Sequence, residues 1–357
     1  MIMKILAINP GSTSTKIAVY DDKNEIFTKT LRHTVEELAP YKNIIEQFEF
    51  RKNIIVEALK EQNIDIEELG AVVGRGGLLK PIPGGVYRVS DELIKDLKSL
   101  EYGEHASNLG GILAHAIANE LKNEVPSFIV DPVVVDELQE LARISGHPDV
   151  PRISIFHALN HKAVAHRYAR SIGKKYEDLN LIVAHLGGGC SVGAHAKGKV
   201  IDVNNALNGD GPFSPERTGG LPVGAFAALC FSGKYTHAEI NKIIAGKGGM
   251  VAYVGSNDAY KIELAAKAGD EKAKLVLEAL AYQISKEIGA VSAVLCGKVD
   301  QIIVTGGLAK SDIMRDWIKE RVEFIAPITF YPGEDEMQAL AEGAFYALNG
   351  EYEIKNY

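Results

Sequence analysis

The sequence predicts an α/β protein built from two duplicated domains, each a mixed five-stranded sheet flanked by helices. Three observations carry that expectation. A strand, a tight loop of glycine and small polar residues, and a second strand open the chain at 5–20, and the pattern returns half a chain later at 181–195. The order βββαβα can be read in both halves, which points to sheets covered by helices. Finally, 357 residues exceed what one hydrophobic core usually holds and favour two domains.

The elements follow in order. Segments 4–8, 16–20 and 25–30 read as strands, with Asp21-Asp22-Lys23-Asn24 as the second turn. A helix spans 53–63, and Ala71-Val72-Val73 forms a fourth, buried strand. The Gly/Pro cluster from Gly74 to Gly85 is a loop. Ser90 caps a helix to about residue 99, with Asp91 and Glu92 in its first turn. A helix at 104–122 and a strand ending at Asp131-Pro132 close the first half. The second half reads as helix 157–171, strands 181–185, 191–196 and 199–203, and helices 222–232, 236–245, 258–268 and 271–297. Strand 301–305 then enters Gly306-Gly307, Ser311 caps a helix to about 325, and helix 336–349 follows. The expected domains are 1–145 with 338–357, and 146–337.

Composition narrows the function classes. Hydrophobic content of 46% and charged content of 24% are those of a soluble globular protein. A net charge of −8 without a basic stripe argues against nucleic acid as partner. Cys190, Cys230 and Cys296 have neither disulfide nor zinc spacing, so reduced, cytoplasmic thiols are expected. The N-terminus shows no signal-peptide pattern. The apolar stretch 273–296 is interrupted by Glu278, Gln283, Lys286 and Glu287, so a buried helix is expected and a membrane partner is not.

Two loops offer anion-binding chemistry. The first carries Asn9, Ser12, Ser14 and Lys16, whose amide, hydroxyls and ammonium donate to phosphate oxygens; it is not a Walker loop. The second carries His185, Gly187, Gly188, Gly189 and Ser191, and its three glycines allow close backbone approach. An ordinary hairpin turn and a β-bulge are the plainer alternatives, and the repeat favours binding. Gly306 and Gly307 end a buried strand, where α/β sheets bind ligands, and read as an adenosine contact. Arg75 and Arg217 lie in glycine-rich loops and suit bidentate contact with carboxylate or phosphate. Asp131 directly follows a strand, and one of Glu334, Asp335 and Glu336 is a possible partner through Mg²⁺; a helix N-terminus favouring negative charge also explains that run. His157 and His161 stand at i, i+4, but no third ligand is placed for zinc, and a histidine donating to a transferring phosphoryl group fits better.

Together these elements resemble the acetate kinase family, acyl-phosphate-forming kinases within the actin-like, sugar-kinase-like and Hsp70-like ATPases. Asn9-Pro10-Gly11-Ser12-Thr13-Ser14-Thr15-Lys16 is similar to the family's opening pattern, and Val73-Gly74-Arg75-Gly76-Gly77 to the segment with a catalytic arginine. Phe156-His157 with His161, His185-Leu186-Gly187-Gly188-Gly189, Asp131, Arg217 and Glu336 match further family positions. The resemblance implies two actin-like (ribonuclease H-like) domains with the active site in the cleft between them. It implies ATP/ADP and Mg²⁺ as cofactors, a small-molecule carboxylate as substrate, and a homodimer or higher homo-oligomer. Arg75, Asp131, His157, Arg217 and His185 would be catalytic. Asn9, Ser12, Ser14, Lys16, Gly187, Gly188, Gly189, Gly306 and Gly307 would hold the nucleotide, and Asp131 and Glu336 the metal. The chain departs from the acetate-specific pattern at Gly188, within Glu216-Arg217-Thr218-Gly219-Gly220 (at Glu216, Thr218 and Gly220) and at 308–311, and so resembles the branch acting on butyrate. Gly76 and Gly77, with Phe156, are expected to form a roomier acyl pocket. A branched acid such as isobutyrate is the near alternative, acetate or propionate a more distant one, and an ATP-driven switch the alternative from another class.

Overall fold

The computed structural model describes residues 3–357, which fall into two compact units: 3–135 with Asp335–Tyr357, and Asp136–Glu334. The first unit closes ahead of residue 145, and its second segment begins at Asp335 instead of 338.

In the first unit, β1 (Lys4–Pro10), β2 (Ser14–Asp21) and β3 (Asn24–Arg32) form an antiparallel meander. β4 (Leu69–Arg75) joins β1 in parallel, and β6 (Ser127–Val130) joins β4 in parallel. β5 (Val86–Arg88) and β12 (Ile354–Lys355) extend the far edge, giving the order β12-β5-β6-β4-β1-β2-β3. The sheet therefore has seven strands, not five. The two additions are three and two residues long, too short to show alternation in sequence.

Ile5, Leu6, Ala7 and Ile8 are fully buried, as a central strand covered on both faces requires. The helix Asn108–Glu120 is apolar almost throughout. Its Gly110 and Gly111 bring helix backbone against β4: a Cβ on Gly74 would sit 2.0 Å from the Gly110 carbonyl oxygen. The helix Glu336–Leu348 packs on β6, where a Cβ on Gly343 would meet Val130 at 2.8 Å. Ser90 caps the helix Asp91–Ser99 as expected, accepting the Leu93 N–H.

The second unit repeats the five-strand arrangement. β7 (Asn180–Leu186), β8 (Cys190–Ala196) and β9 (Lys199–Val203) form the meander. β10 (Gln301–Gly306) is parallel to β7, and β11 (Ile328–Pro332) is parallel to β10. The order β11-β10-β7-β8-β9 has the same pairing pattern as β6-β4-β1-β2-β3. The helix Glu271–Val294 buries an apolar stripe and is capped by Asp270, which accepts the Lys272 and Ala273 N–H groups. Among the described residues no helix is long and apolar enough to cross a membrane.

Candidate active site

In the first unit, Glu336 gathers the chemistry. The Asn9 side-chain amide donates to Glu336 Oε2 at 2.6 Å, and Arg75 Nη1 donates to Oε1 at 2.5 Å. Glu336 is the first residue of its helix, where negative charge is favoured. Lys16 pairs with Asn9 in register, so both side chains share one face of the sheet, and Lys16 is exposed there.

The loop between β1 and β2 is closed by the Gly11 N–H on the Ser14 carbonyl at 2.7 Å. It leaves Ser12 exposed and Ser14 half-buried. Beneath it lies Arg51, fully buried and missed in the sequence. Its Nη1 donates to the carbonyls of Gly11 (2.8 Å) and Ser14 (3.1 Å) and to Thr15 Oγ1 (3.0 Å), and its Nη2 to the Ser12 carbonyl (3.1 Å). Gln47 accepts from Nε and Nη2. Burial pushes the guanidinium down to about 10. The available signal was its place in the helix Phe48–Glu61: Arg51, Ile55, Ala58 and Leu59 form one buried stripe. Burial, with the Arg51 charge second, also pushes His33, 2.9 Å from Thr15 Oγ1, down to about 4.

Asp131 takes a left-handed backbone conformation (φ 37°) at the end of β6. Its carboxylate accepts the Gly85 N–H at 2.7 Å, and its own N–H donates to the Gly85 carbonyl. Among the described residues no three His, Cys, Asp or Glu side chains converge as a metal site. Mg²⁺ is commonly bound through one or two carboxylates, with phosphate and water completing its shell, and the oxygen donors of Asp131 and Glu336 fit that chemistry.

Gly76, Gly77 and Phe156, expected to form an acyl pocket, are closely packed. A Cβ on Gly76 would sit 2.5 Å from Pro132 Cβ, and one on Gly77 2.5 Å from Asn108 Cα. Both Cβ positions are taken by neighbouring atoms, so close packing by itself accounts for the two glycines. Phe156 is 2% exposed and presents its ring to the edge of His161.

In the second unit, the His157 and His185 rings stack at 4.0 Å and 18°. His185 Nδ1 donates to Asn160 Oδ1 at 2.9 Å, and its Nε2 lies 3.4 Å from Glu334 Oε1. His161 turns inward to Ser191 and His195. The glycine loop follows β7. A Cβ on Gly187 would meet Glu334 at 2.5 Å, and one on Gly189 would meet Arg217 Nη1 at 2.1 Å. Arg217 is held over Gly189 by donating to the Ala206 carbonyl at 2.7 Å. Ser214 Oγ–H donates to the Gly188 carbonyl, and Gly188 itself is open. Gly306 takes φ 94°, and its Cβ position is filled by Leu186 backbone. Gly307 has open space and lines a cavity of about 630 Å³ with Gly187, Gly188, Glu216, Tyr260 and Lys310. That volume lies in the range of small-molecule sites. Ser191 is fully buried and faces the histidines.

The family model described as the acetokinase family matches residues 150–327. The chain is 60% identical over its full length to butyrate kinase 2 of Clostridium acetobutylicum, covering all of that protein, and 58% identical over 99% of both chains to butyrate kinase 1 of the same organism. Among solved structures, acetate kinase from Porphyromonas gingivalis aligns with a TM-score of 0.76 at 20% identity, covering 96% of this chain and 99% of that one. A propionate kinase from Francisella tularensis aligns at 0.74 and 18% identity over 96% of this chain and 99% of that one, and both establish the shared actin-like fold. The full-length identity shows that the chain belongs to the acetokinase family.

Proposed function

We propose that the protein catalyses reversible transfer of the terminal phosphoryl group of ATP to butyrate, forming butyryl phosphate and ADP. The observation that carries this reading is the 60% identity over the full length to a protein named butyrate kinase. The site geometry is consistent with it and suggests the roles. The substrate carboxylate is already ionised at neutral pH, so positioning and charge neutralisation suffice and no strong base is required. Arg75, oriented by Glu336, would hold the carboxylate so that its oxygen attacks the terminal phosphorus as the bond to ADP breaks. Arg217, His157 and His185 would stabilise the phosphoryl oxygens, and the backbone of Gly187, Gly188 and Gly189 would hold the polyphosphate. Asn9, Ser12, Ser14 and Lys16 would add donors from the first unit. The cavity at Gly307 would take the adenosine. Asp131 and Glu336 would hold Mg²⁺, which neutralises phosphate charge when bound.

The helix Val223–Cys230 supports assembly into a homodimer or larger homo-oligomer. It has no buried residue and no charged one, with Val223 81% and the adjoining Phe231 92% exposed. Use of ATP and three free cysteines favour the cytoplasm.

One assay tests the reading: ATP, Mg²⁺ and a panel of C2–C6 carboxylic acids, with acyl phosphate trapped by hydroxylamine. Butyrate should give the highest kcat/KM. A higher value for isobutyrate would reassign the substrate, and ATP turnover indifferent to every acid would point to a nucleotide-driven switch.

A further inference from the structure

The stacked histidines of the second unit are one end of a longer buried row. His157 Nδ1 lies 2.9 Å from Ser191 Oγ, and His161 Nε2 lies 2.8 Å from the same oxygen. His161 Nδ1 meets His195 Nε2 at 3.2 Å, and His195 Nδ1 meets the Tyr176 hydroxyl at 2.6 Å. Ser191, His161 and His195 are fully buried, and Tyr176 is 2% exposed.

The row is built by simple periodicity. His157 immediately precedes the helix Ala158–Ser171, and His161 follows one turn later. Ser191, Gly193 and His195 share one face of β8. Gly193 leaves the gap in which the rings meet: a Cβ there would stand 3.4 Å from both His161 Nδ1 and His195 Nε2.

The chemistry gives the row a direction. Burial pushes His161 and His195 well below the usual histidine range, so both are neutral. A neutral imidazole has one N–H and one lone pair, so the bonds must run head to tail. At the far end, the phenol is the acid and the imidazole nitrogen the base. Tyr176 therefore donates to His195 Nδ1, His195 Nε2–H to His161 Nδ1, His161 Nε2–H to Ser191, and Ser191 to His157 Nδ1. His157 Nδ1 is thereby an acceptor, and the proton of its neutral form is left on Nε2.

We propose that Tyr176, acting through His195, His161 and Ser191, fixes His157 as the Nε2–H tautomer, so that it meets the phosphoryl group as an N–H donor. This rests on the role given to His157 above. Tyr176, His195, His161 and Ser191 are positioning residues.

Histidine ¹⁵N NMR of the full chain tests the row independently of activity. In the native protein, His157 should show a pyridine-type Nδ1 and a pyrrole-type Nε2. Tyr176→Phe removes the terminal donor at nearly constant volume. His157 should then show mixed tautomers, and kcat should fall about 3- to 10-fold, the value of one net hydrogen bond. KM for ATP and for butyrate should stay within about twofold. Ser191→Ala, which cuts the row beside His157, should lower kcat at least as far. A native His157 protonated at Nδ1, or His157 shifts and kcat left native in both variants, would overturn the proposal. If His157→Gln keeps native kcat, the catalytic purpose fails, while the ¹⁵N shifts still decide whether the row sets the tautomer.

Discussion

Arg51→Met is the sharpest test of how the first loop is held. The substitution keeps an unbranched stem in the buried helix stripe and removes every donor. It strands the Gly11 carbonyl and the buried Gln47 side-chain oxygen, each worth about 1–3 kcal/mol where water is excluded, and takes one of two partners, worth about 1 kcal/mol each, from the Ser14 carbonyl, which keeps the Gly11 N–H, and from the Thr15 hydroxyl, which keeps His33. The Ser12 carbonyl belongs to an exposed residue and is rehydrated at little cost. Removing a desolvated charge offsets part of the loss. Burial lowers the guanidinium to about 10, a penalty of about 3 kcal/mol at 1.36 kcal/mol per pH unit. The balance is about 3 kcal/mol of destabilisation, or about 6–12 °C in the first thermal transition of a unit this size. Because the loop carries Ser12 and Ser14, KM for ATP should also rise, by about tenfold. Arg51→Lys keeps the charge but loses the planar fork, so it should recover stability only partly. Differential scanning calorimetry and initial-rate kinetics on the full chain measure both effects. A native transition temperature together with a native KM in Arg51→Met would refute the account of Arg51 as the loop's support.

Gly77→Val should lower the thermal transition, since overpacking costs about 1–3 kcal/mol, and leave the butyrate-to-acetate ratio of kcat/KM unchanged. A shifted ratio at native stability would instead restore Gly77 as a pocket residue. Acid should destabilise the fold through neutral buried histidines. His33 and His166 are lowered to about 4 and about 3 by burial, so below the unfolded value of 6.5 the unfolded state binds more protons. Stability is then lost as pH falls from about 6.5 towards 4, by about 1–2 kcal/mol per histidine at pH 5, and His166→Phe should flatten the dependence of the urea midpoint on pH. Phe231→Glu should reduce the assembled mass measured by light scattering; an unchanged mass removes the Val223–Cys230 helix as the interface. Gly11→Ala should be nearly neutral, its Cβ meeting nothing nearer than 3.5 Å, whereas Gly189→Ala should displace Arg217 and abolish most activity. Equal activities for these two variants would contradict the packing described around the second loop.

Much of the fold was legible because its main elements are long and periodic. The three-strand meanders, the Ser90 and Ser311 caps and the helix Glu271–Val294 all follow from pattern and capping chemistry. β11 was missed because Ile-Thr-Phe-Tyr-Pro has no fully buried residue and ends in proline. β5 and β12 were too short to register. At the candidate site, the motif residues could be named from spacing, but their surroundings could not. A glycine in sequence does not reveal which neighbour occupies the space of its missing Cβ. Gly76 and Gly77 read as room for a substrate, yet a Cβ there would meet Pro132 and Asn108, while Gly307 does open onto the cavity. Arg51 was hidden for the opposite reason. An arginine in a helix suggests solvent, and only its phase with Ile55, Ala58 and Leu59 points inward.

The duplicated loops show how one backbone plan accommodates two kinds of support. Each follows the first strand of a meander, so Asn9 and His185 occupy corresponding places in β1 and β7. In the first loop the stabilising cation lies beneath. Arg51 collects the carbonyls of Gly11, Ser12 and Ser14, so one glycine is enough and the serine side chains stay available above. In the second loop Arg217 lies against Gly189 and Glu334 against Gly187, and neither position has space for a Cβ. Side-chain donors are thereby absent from the second loop, and the polar groups beside it come from Arg217, His157 and His185. The strand-paired residues diverge with the same logic. Opposite Asn9 stands the exposed Lys16, while opposite His185 stands Ser191, buried and joined to the histidine row. One copy thus keeps its polar groups on the loop, and the other moves them into the packed interior, where their orientation is fixed by hydrogen bonds.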